Sequence, residues 1–235
     1  MPNELISVGH QFKETLKLPI IAITISTNYS DLIPFILRAN TEYFKKWIFV
    51  TDINDTNTIN TIPRDDKFDV LFFDFKTNNA VFNKGAAVRY AQEKAYHEFP
   101  NDWYLLIDSD ICLDLSFEHV QKNLINFDKN CIYGTNNRKN YLRYEDYKHS
   151  RNGQHYDTCG IEGFFQLYHQ HRFYADSTNA SECDLKFTQE FTCQQRIDSV
   201  RCNHLGKNGI NWDGRKSSDF LIMDSPIPKK HKHIR

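Results

Sequence analysis

The sequence predicts an α/β fold with a central, mainly parallel but mixed sheet flanked by helices. Three observations carry that expectation. Four apolar runs of strand length, at residues 19–26, 47–51, 70–73 and 103–107, are rich in β-branched or aromatic side chains, as strands covered on both faces are. Helical spacing fills two of the gaps between them, giving the order strand, helix, strand, strand, helix, strand. Three of the runs end on polar side chains, Thr27/Asn28, Asp52 and Asp108/Asp110, and open sheets of this class bind ligands beyond the carboxyl ends of their strands.

The first run passes through Thr27-Asn28-Tyr29-Ser30-Asp31 into a helical pattern with Ile33, Ile36, Leu37 and Phe44 on one face. Asp31 suits its N-cap, which puts Pro34 in the first turn, where a missing N–H costs nothing. The second strand, 47–51, closes at Asp52, and a polar loop leads to the third. Residues 84–97 have helical spacing with Ala87, Tyr90, Ala91 and Ala95 inward. The fourth strand stops at Asp108-Ser109-Asp110. Beyond it, 131–134 and 163–169 read as strands separated by a long polar loop rich in Tyr, Arg and His. Residues 181–191 read as a helix, and 202–215 lack periodicity but hold three of the nine glycines, as loops that line or close a site often do. With no repeat and no Gly/Ser linker, one domain over 1–235 is expected, its core at about 19–215 and a basic tail at 226–235.

Composition narrows the function. Of 235 residues 40% are hydrophobic, 14% aromatic and 25% charged, which excludes a disordered, collagen-like or coiled-coil chain. The net charge of −1 and pI near 6.8 lack the basic excess of a protein that grips nucleic acid through its phosphates. The one basic run, Lys229, Lys230, His231, Lys232, His233 and Arg235, reads as a solvated end. No apolar stretch approaches the ~20 residues of a spanning helix, and the start has no signal-peptide pattern. An integral membrane protein is therefore not expected. Six cysteines without a C-x-x-C pair read as the reduced thiols of a cytoplasmic protein, in host cytoplasm if the source is viral.

Three features carry chemistry. Asp108 and Asp110, just past a buried strand, can both reach one divalent cation if the chain leaves strand geometry between them; hard oxygen ligands suit Mn²⁺ or Mg²⁺, whose shells phosphates complete. Phe82-Asn83-Lys84-Gly85-Ala86-Ala87 opens a helix whose small residues allow close backbone approach and whose N-terminus, with Lys84, favours an anion. His204-Leu205-Gly206, followed by Asn211-Trp212-Asp213-Gly214-Arg215, offers a further metal ligand in His204 and phosphate contacts from Arg215 and Lys207. Each has an ordinary counterpart: a solvated turn, tight helix–sheet packing and a polar loop.

The order of Asn28-Tyr29-Ser30-Asp31, Val50-Thr51-Asp52, the 82–87 segment, Asp108-Ser109-Asp110, Gly163-Phe164-Phe165-Gln166-Leu167 and the His204 to Arg215 motifs resembles a GT-A-fold glycosyltransferase. The likeness is to the compact single-domain kind found in bacteria and large DNA viruses, and it runs from about residue 20 to 215. The resemblance implies a nucleoside-diphosphate-sugar donor, with a UDP-sugar favoured, and a glycan or glycoconjugate acceptor. It assigns the metal to Asp108, Asp110 and His204, and donor contacts to Thr27, Asn28, Tyr29, Asp52, Asn83, Lys84, Ser109 and Arg215. Inverting members carry an acidic base at a helix start, which here matches Glu182, with Asp184 after it; the family's adjacent Glu-Asp pair is absent. Asp157 and Glu162 are further candidates, and a retaining enzyme needs no such base. The loop 139–155 and the strand 164–168 suit the acceptor. Two alternatives stay open: a nucleotidyltransferase acting on sugar phosphates, although the Gly-rich basic loop of that class is missing after the first strand, and a non-catalytic nucleotide-sugar or glycan-binding module.

Overall fold

A computed structural model of the chain describes residues 19–156, 160–207, 209–216 and 218–222; the basic tail and Asp157 lie outside them. The first half runs β1 (Ile20–Ile25), α1 (Ile33–Asn40), β2 (Lys46–Thr51), α2 (Thr56–Thr61), β3 (Phe68–Phe72), α3 (Lys84–Glu98) and β4 (Trp103–Ile107). The second half continues with β5 (Ile111–Leu113), α4 (Ser116–Asn123), β6 (Cys131–Gly134), β7 (Arg138–Tyr141), α5 (Tyr144–Lys148) and β8 (Gln154–Tyr156). It closes with β9 (Phe165–Tyr168), α6 (Cys183–Gln189), β10 (Cys193–Arg196) and β11 (Cys202–Leu205).

Seven strands form a mixed, mostly parallel sheet in the order β10-β6-β9-β4-β1-β2-β3. β3, β2, β1 and β4 are parallel neighbours, β10 is parallel to β6, and β9 alone runs the other way, between β4 and β6. Strand alternation divides the core. Ile20, Ala22, Trp47, Phe49, Leu105 and Ile107 face one apolar cluster, which α1 covers with Ile33 and Ile36. Ile21, Ile23, Ile48, Val50, Tyr104 and Leu106 face the other, covered by Ala87, Ala91 and Ala95 of α3 and Phe187 of α6. With both faces covered, these strands carry no polar alternation. The buried Trp47 indole is satisfied by Thr24 Oγ1 at 2.8 Å, which itself donates to the Ile107 carbonyl at 3.0 Å.

The long polar stretch after residue 134 is not one loop. It supplies β7, α5 and β8, and a second sheet forms in the order β5-β11-β7-β8. Asp31 does not cap α1; Leu32 occupies that position without a side-chain bond, because the carboxylate of Asp31 pairs with Arg215. Pro34 does fall in the first turn. Tyr90 is not inward but 42% exposed.

The cysteine expectation also changes. Cys131 of β6 and Cys193 of β10 stand opposite each other in the parallel register and are joined by a disulfide. Cys112, Cys183 and Cys202 are free and buried, and Cys159 lies outside the described residues. A crosslink of this kind persists chiefly in oxidising compartments, so the cysteines no longer argue for the cytoplasm. No helix among the described residues is long and apolar enough to cross a membrane.

Candidate functional site

The carboxyl end of β4 is where the two sheets meet. The chain leaves the large sheet at Ile107, turns through Asp108-Ser109-Asp110 and enters the small sheet at Ile111. Ser109 fixes the turn: its buried hydroxyl donates to the Ile25 carbonyl at 2.6 Å. β11 pairs antiparallel with β5, placing His204 opposite Ile111, and Leu205 N donates to the Asp110 carbonyl at 2.8 Å. A histidine 94 positions along the chain thus lands beside Asp110, with Nε2 3.4 Å from Asp110 Oδ2. Tyr29, just after β1, places its hydroxyl 3.5 Å from the same oxygen. These groups wall a cavity of about 240 Å³, together with Lys84, Asp108 and Asp184.

Lys84 is the buried cation of the site. Its ammonium lies 3.1 Å from Asp108 and 3.2 Å from Asp184, with only 7% of the side chain exposed. Burial works to lower its pKa, but the two carboxylates outweigh this and hold it well above the usual lysine value. A cation in the first turn of a helix opposes the macrodipole, so these carboxylates are what make the position tenable. The anion that Lys84 meets is the protein's own. Burial raises the Asp108 carboxyl to about 6, against the opposing pull of Lys84. For Asp110 burial acts the same way, but the facing His204, with Arg138 and Arg215 behind it, outweighs it and leaves the carboxyl below the usual range. Asp184 is braced further by the Tyr174 hydroxyl at 3.1 Å from Oδ1. It also packs on Gly163, where any Cβ would collide with its carboxylate.

The three expected metal ligands do not converge on one point. Among the described residues, the group of three acidic, His or Cys side chains with donor atoms within 4.8 Å of one another is Asp128, Cys131 and Cys193, and its cysteines are bonded to each other. Asp108 turns to Lys84, whereas Asp110 and His204 face each other. Asp110 Oδ1 and His204 Nδ1 are buried without a hydrogen-bond partner among the described residues. Buried polar atoms are nearly always satisfied, and orphaned ones call for an unseen partner. A carboxylate and an imidazole suit a divalent first-row cation such as Mn²⁺, so the Asp110–His204 pair fits a metal as two ligands, with Asp108 left on its lysine.

Other expected positions are distributed unevenly. Arg215 is buried and engaged by the protein: its guanidinium forks onto both oxygens of Asp31, donates to the Asn28 carbonyl at 2.8 Å and stacks 4.6 Å over the Tyr29 ring. Asn28 sits at φ 63°, bonds back to the Arg215 carbonyl at 2.8 Å, and lines a neighbouring, more open cavity of about 540 Å³ with Asp31 and Asp55. Thr27 keeps its buried hydroxyl oxygen unpartnered among the described residues, yet it lines neither cavity. Nor does Asp52, whose Oδ1 accepts from the Asn54 amide at 2.8 Å in a local turn. Asn83 caps α3 through Ala86 N at 3.0 Å, holds Ser177 N at 2.9 Å and lines neither cavity. Glu182 lines neither cavity, its side chain 72% exposed and paired with Lys186.

Sequence reasoning did not single out Arg138, Tyr156 or Tyr174. Arg138 is buried and lies between the rings of Tyr156 and Phe164, 5.0 and 4.9 Å from their centroids, and all three line the cavity. No local signal marks Arg138 or Tyr156, because β7 and β8 are short, polar strands that gain meaning only by pairing, and Tyr174 lies in the irregular stretch after β9. No protein-family model matches the chain, and no curated protein matches it.

Proposed function

We propose that the chain is a divalent-metal-dependent glycosyltransferase of the GT-A type, moving a sugar from a nucleoside-diphosphate donor, a UDP-sugar first among them, to a hydroxyl of a glycan or glycoconjugate. The observation that carries this reading is the Asp110–His204 pair: a carboxylate and an imidazole, each with a buried unpartnered atom, at the carboxyl end of a parallel strand beside a cavity. That is where open α/β sheets hold their ligands.

Asp110 and His204 would hold Mn²⁺ or Mg²⁺, with diphosphate oxygens and water completing the shell. When bound, the metal offsets the charge that builds on the departing diphosphate. The chain's own residues supply the rest. Lys207 lines the cavity, and its ammonium has no ion-pair partner among the described residues, so it is the cation available to a phosphate, a role Arg215 gives up to Asp31. The Lys84 bridge holds the Asp108 turn against the start of α6. Tyr156, on β8 of the small sheet, gives the cavity an aromatic side chain for a sugar face.

Calorimetric titration with UDP, GDP and CDP, each with Mn²⁺ and with EDTA, tests the reading. One diphosphate is expected to bind only when the metal is present, with at least a tenfold gain in affinity, equivalent to about 1.4 kcal/mol. Equal affinity in EDTA would remove the metal from the account.

A further inference from the structure

The transferase reading leaves the acceptor's proton without a destination, and the two acidic residues at the start of α6, Glu182 at its N-cap and Asp184 in its first turn, are poorly placed to take it. Glu182 lies outside the cavity on an exposed ion pair with Lys186 at 3.0 Å. Asp184 lines the cavity, but Oδ2 is on Lys84 at 3.2 Å and Oδ1 on Tyr174 at 3.1 Å, with the Gly163 backbone packed against the carboxylate. It braces the site.

A third carboxylate is brought in by topology. β9 runs antiparallel to β4 with Phe165 opposite Ile107, so the residues preceding β9 lie level with Asp108 to Asp110. They form a turn in which Phe165 N donates to the Glu162 carbonyl at 3.2 Å. Glu162 lines the same cavity as Asp110, His204 and Lys84. Its half-buried carboxylate makes no hydrogen bond or ion pair among the described residues.

The geometry points to Glu162 as the general base of the transfer, an inference that rests on the reading above. Its carboxylate accepts the proton of the acceptor hydroxyl while that oxygen bonds to the anomeric carbon. The bond from this carbon to the diphosphate oxygen breaks, and its electron pair leaves on the diphosphate. The new glycosidic bond has inverted configuration, and the proton passes from the Glu162 carboxylic acid to solvent. A carboxylate without a hydrogen bond or ion pair among the described residues keeps its lone pairs for the incoming proton. Burial also pushes the Glu162 carboxyl above its ordinary value, with Arg138 opposing and Asp184 and Asp108 adding to the rise, and a stronger proton acceptor is a better base.

The test measures UDP release and the anomer formed, by NMR with Mn²⁺ and water as acceptor. The probe is whichever of UDP-glucose, UDP-galactose, UDP-N-acetylglucosamine, UDP-N-acetylgalactosamine and UDP-glucuronate the parent hydrolyses fastest. Glu162→Gln is expected to lose about 10²- to 10⁴-fold in kcat, with unchanged Mn²⁺-dependent affinity for UDP, while the parent's product shows inversion. Asp184→Asn, which leaves this carboxylate in place, is expected to lose less. Full turnover by Glu162→Gln, a larger loss in Asp184→Asn, or retention of configuration would each overturn the role of Glu162 with the transferase reading intact. Hydrolysis of none of the five sugars by the parent would take both down together.

Discussion

Asp110→Asn is expected to lose at least about 100-fold in Mn²⁺-dependent affinity for UDP while unfolding at nearly the parent's temperature. Replacing an outer-shell partner of a metal ligand already costs 10- to 100-fold, and Asp110 is placed in the shell itself. The fold should barely register the change. Asp110 Oδ1 has no partner among the described residues to lose, and the carboxamide keeps an oxygen for His204 at 3.4 Å and Tyr29 at 3.5 Å. Asp108→Asn should have a smaller effect on metal, because its carboxylate is on Lys84, and also little effect on stability, because burial already disfavours its charge and the carboxamide oxygen can still accept from Lys84. Calorimetry with UDP and Mn²⁺, beside thermal unfolding of both variants, checks this. Equal losses of affinity in the two would return Asp108 to the metal.

Lys84→Met is expected to destabilise the protein by about 3 kcal/mol, read by urea unfolding. Removing one partner of a buried ion pair leaves the other charge without compensation, which typically costs 3–5 kcal/mol. Here one ammonium serves two carboxylates, so its loss leaves Asp108 and Asp184 facing each other at the cavity wall. The low end of the range applies because the Asp108 side chain is 35% exposed, and water recovers part of the loss. Methionine matches the lysine stem in size, so lost packing contributes little. A change below about 1 kcal/mol would mean that the bridge is solvated and does not join α3, α6 and the β4 turn.

β1, β2 and β4 were legible in the sequence because a strand covered on both faces has one signature, a continuous apolar run, and the acidic pair was legible because it interrupts such a run. The small sheet was not. Its strands are three or four residues long and partly polar, and their register is set by pairing across the fold, not by local pattern. That pairing is what sets His204 against Asp110. Asp31 carries a sound capping signal, but an arginine 184 residues away took its carboxylate, an instance of tertiary contact overriding local propensity. The same blindness to distance hid the Cys131–Cys193 bond and left Glu162 no more than one acidic residue among several.

Turnover by this chain is read in an NMR time course with UDP-sugars, in Mn²⁺ and in EDTA. The expected result is release of UDP and free or transferred sugar from one donor, dependent on the metal and absent in Asp110→Asn. Tight, metal-dependent binding of the donors with no cleavage over a day would contradict it and leave a binding module in place of an enzyme.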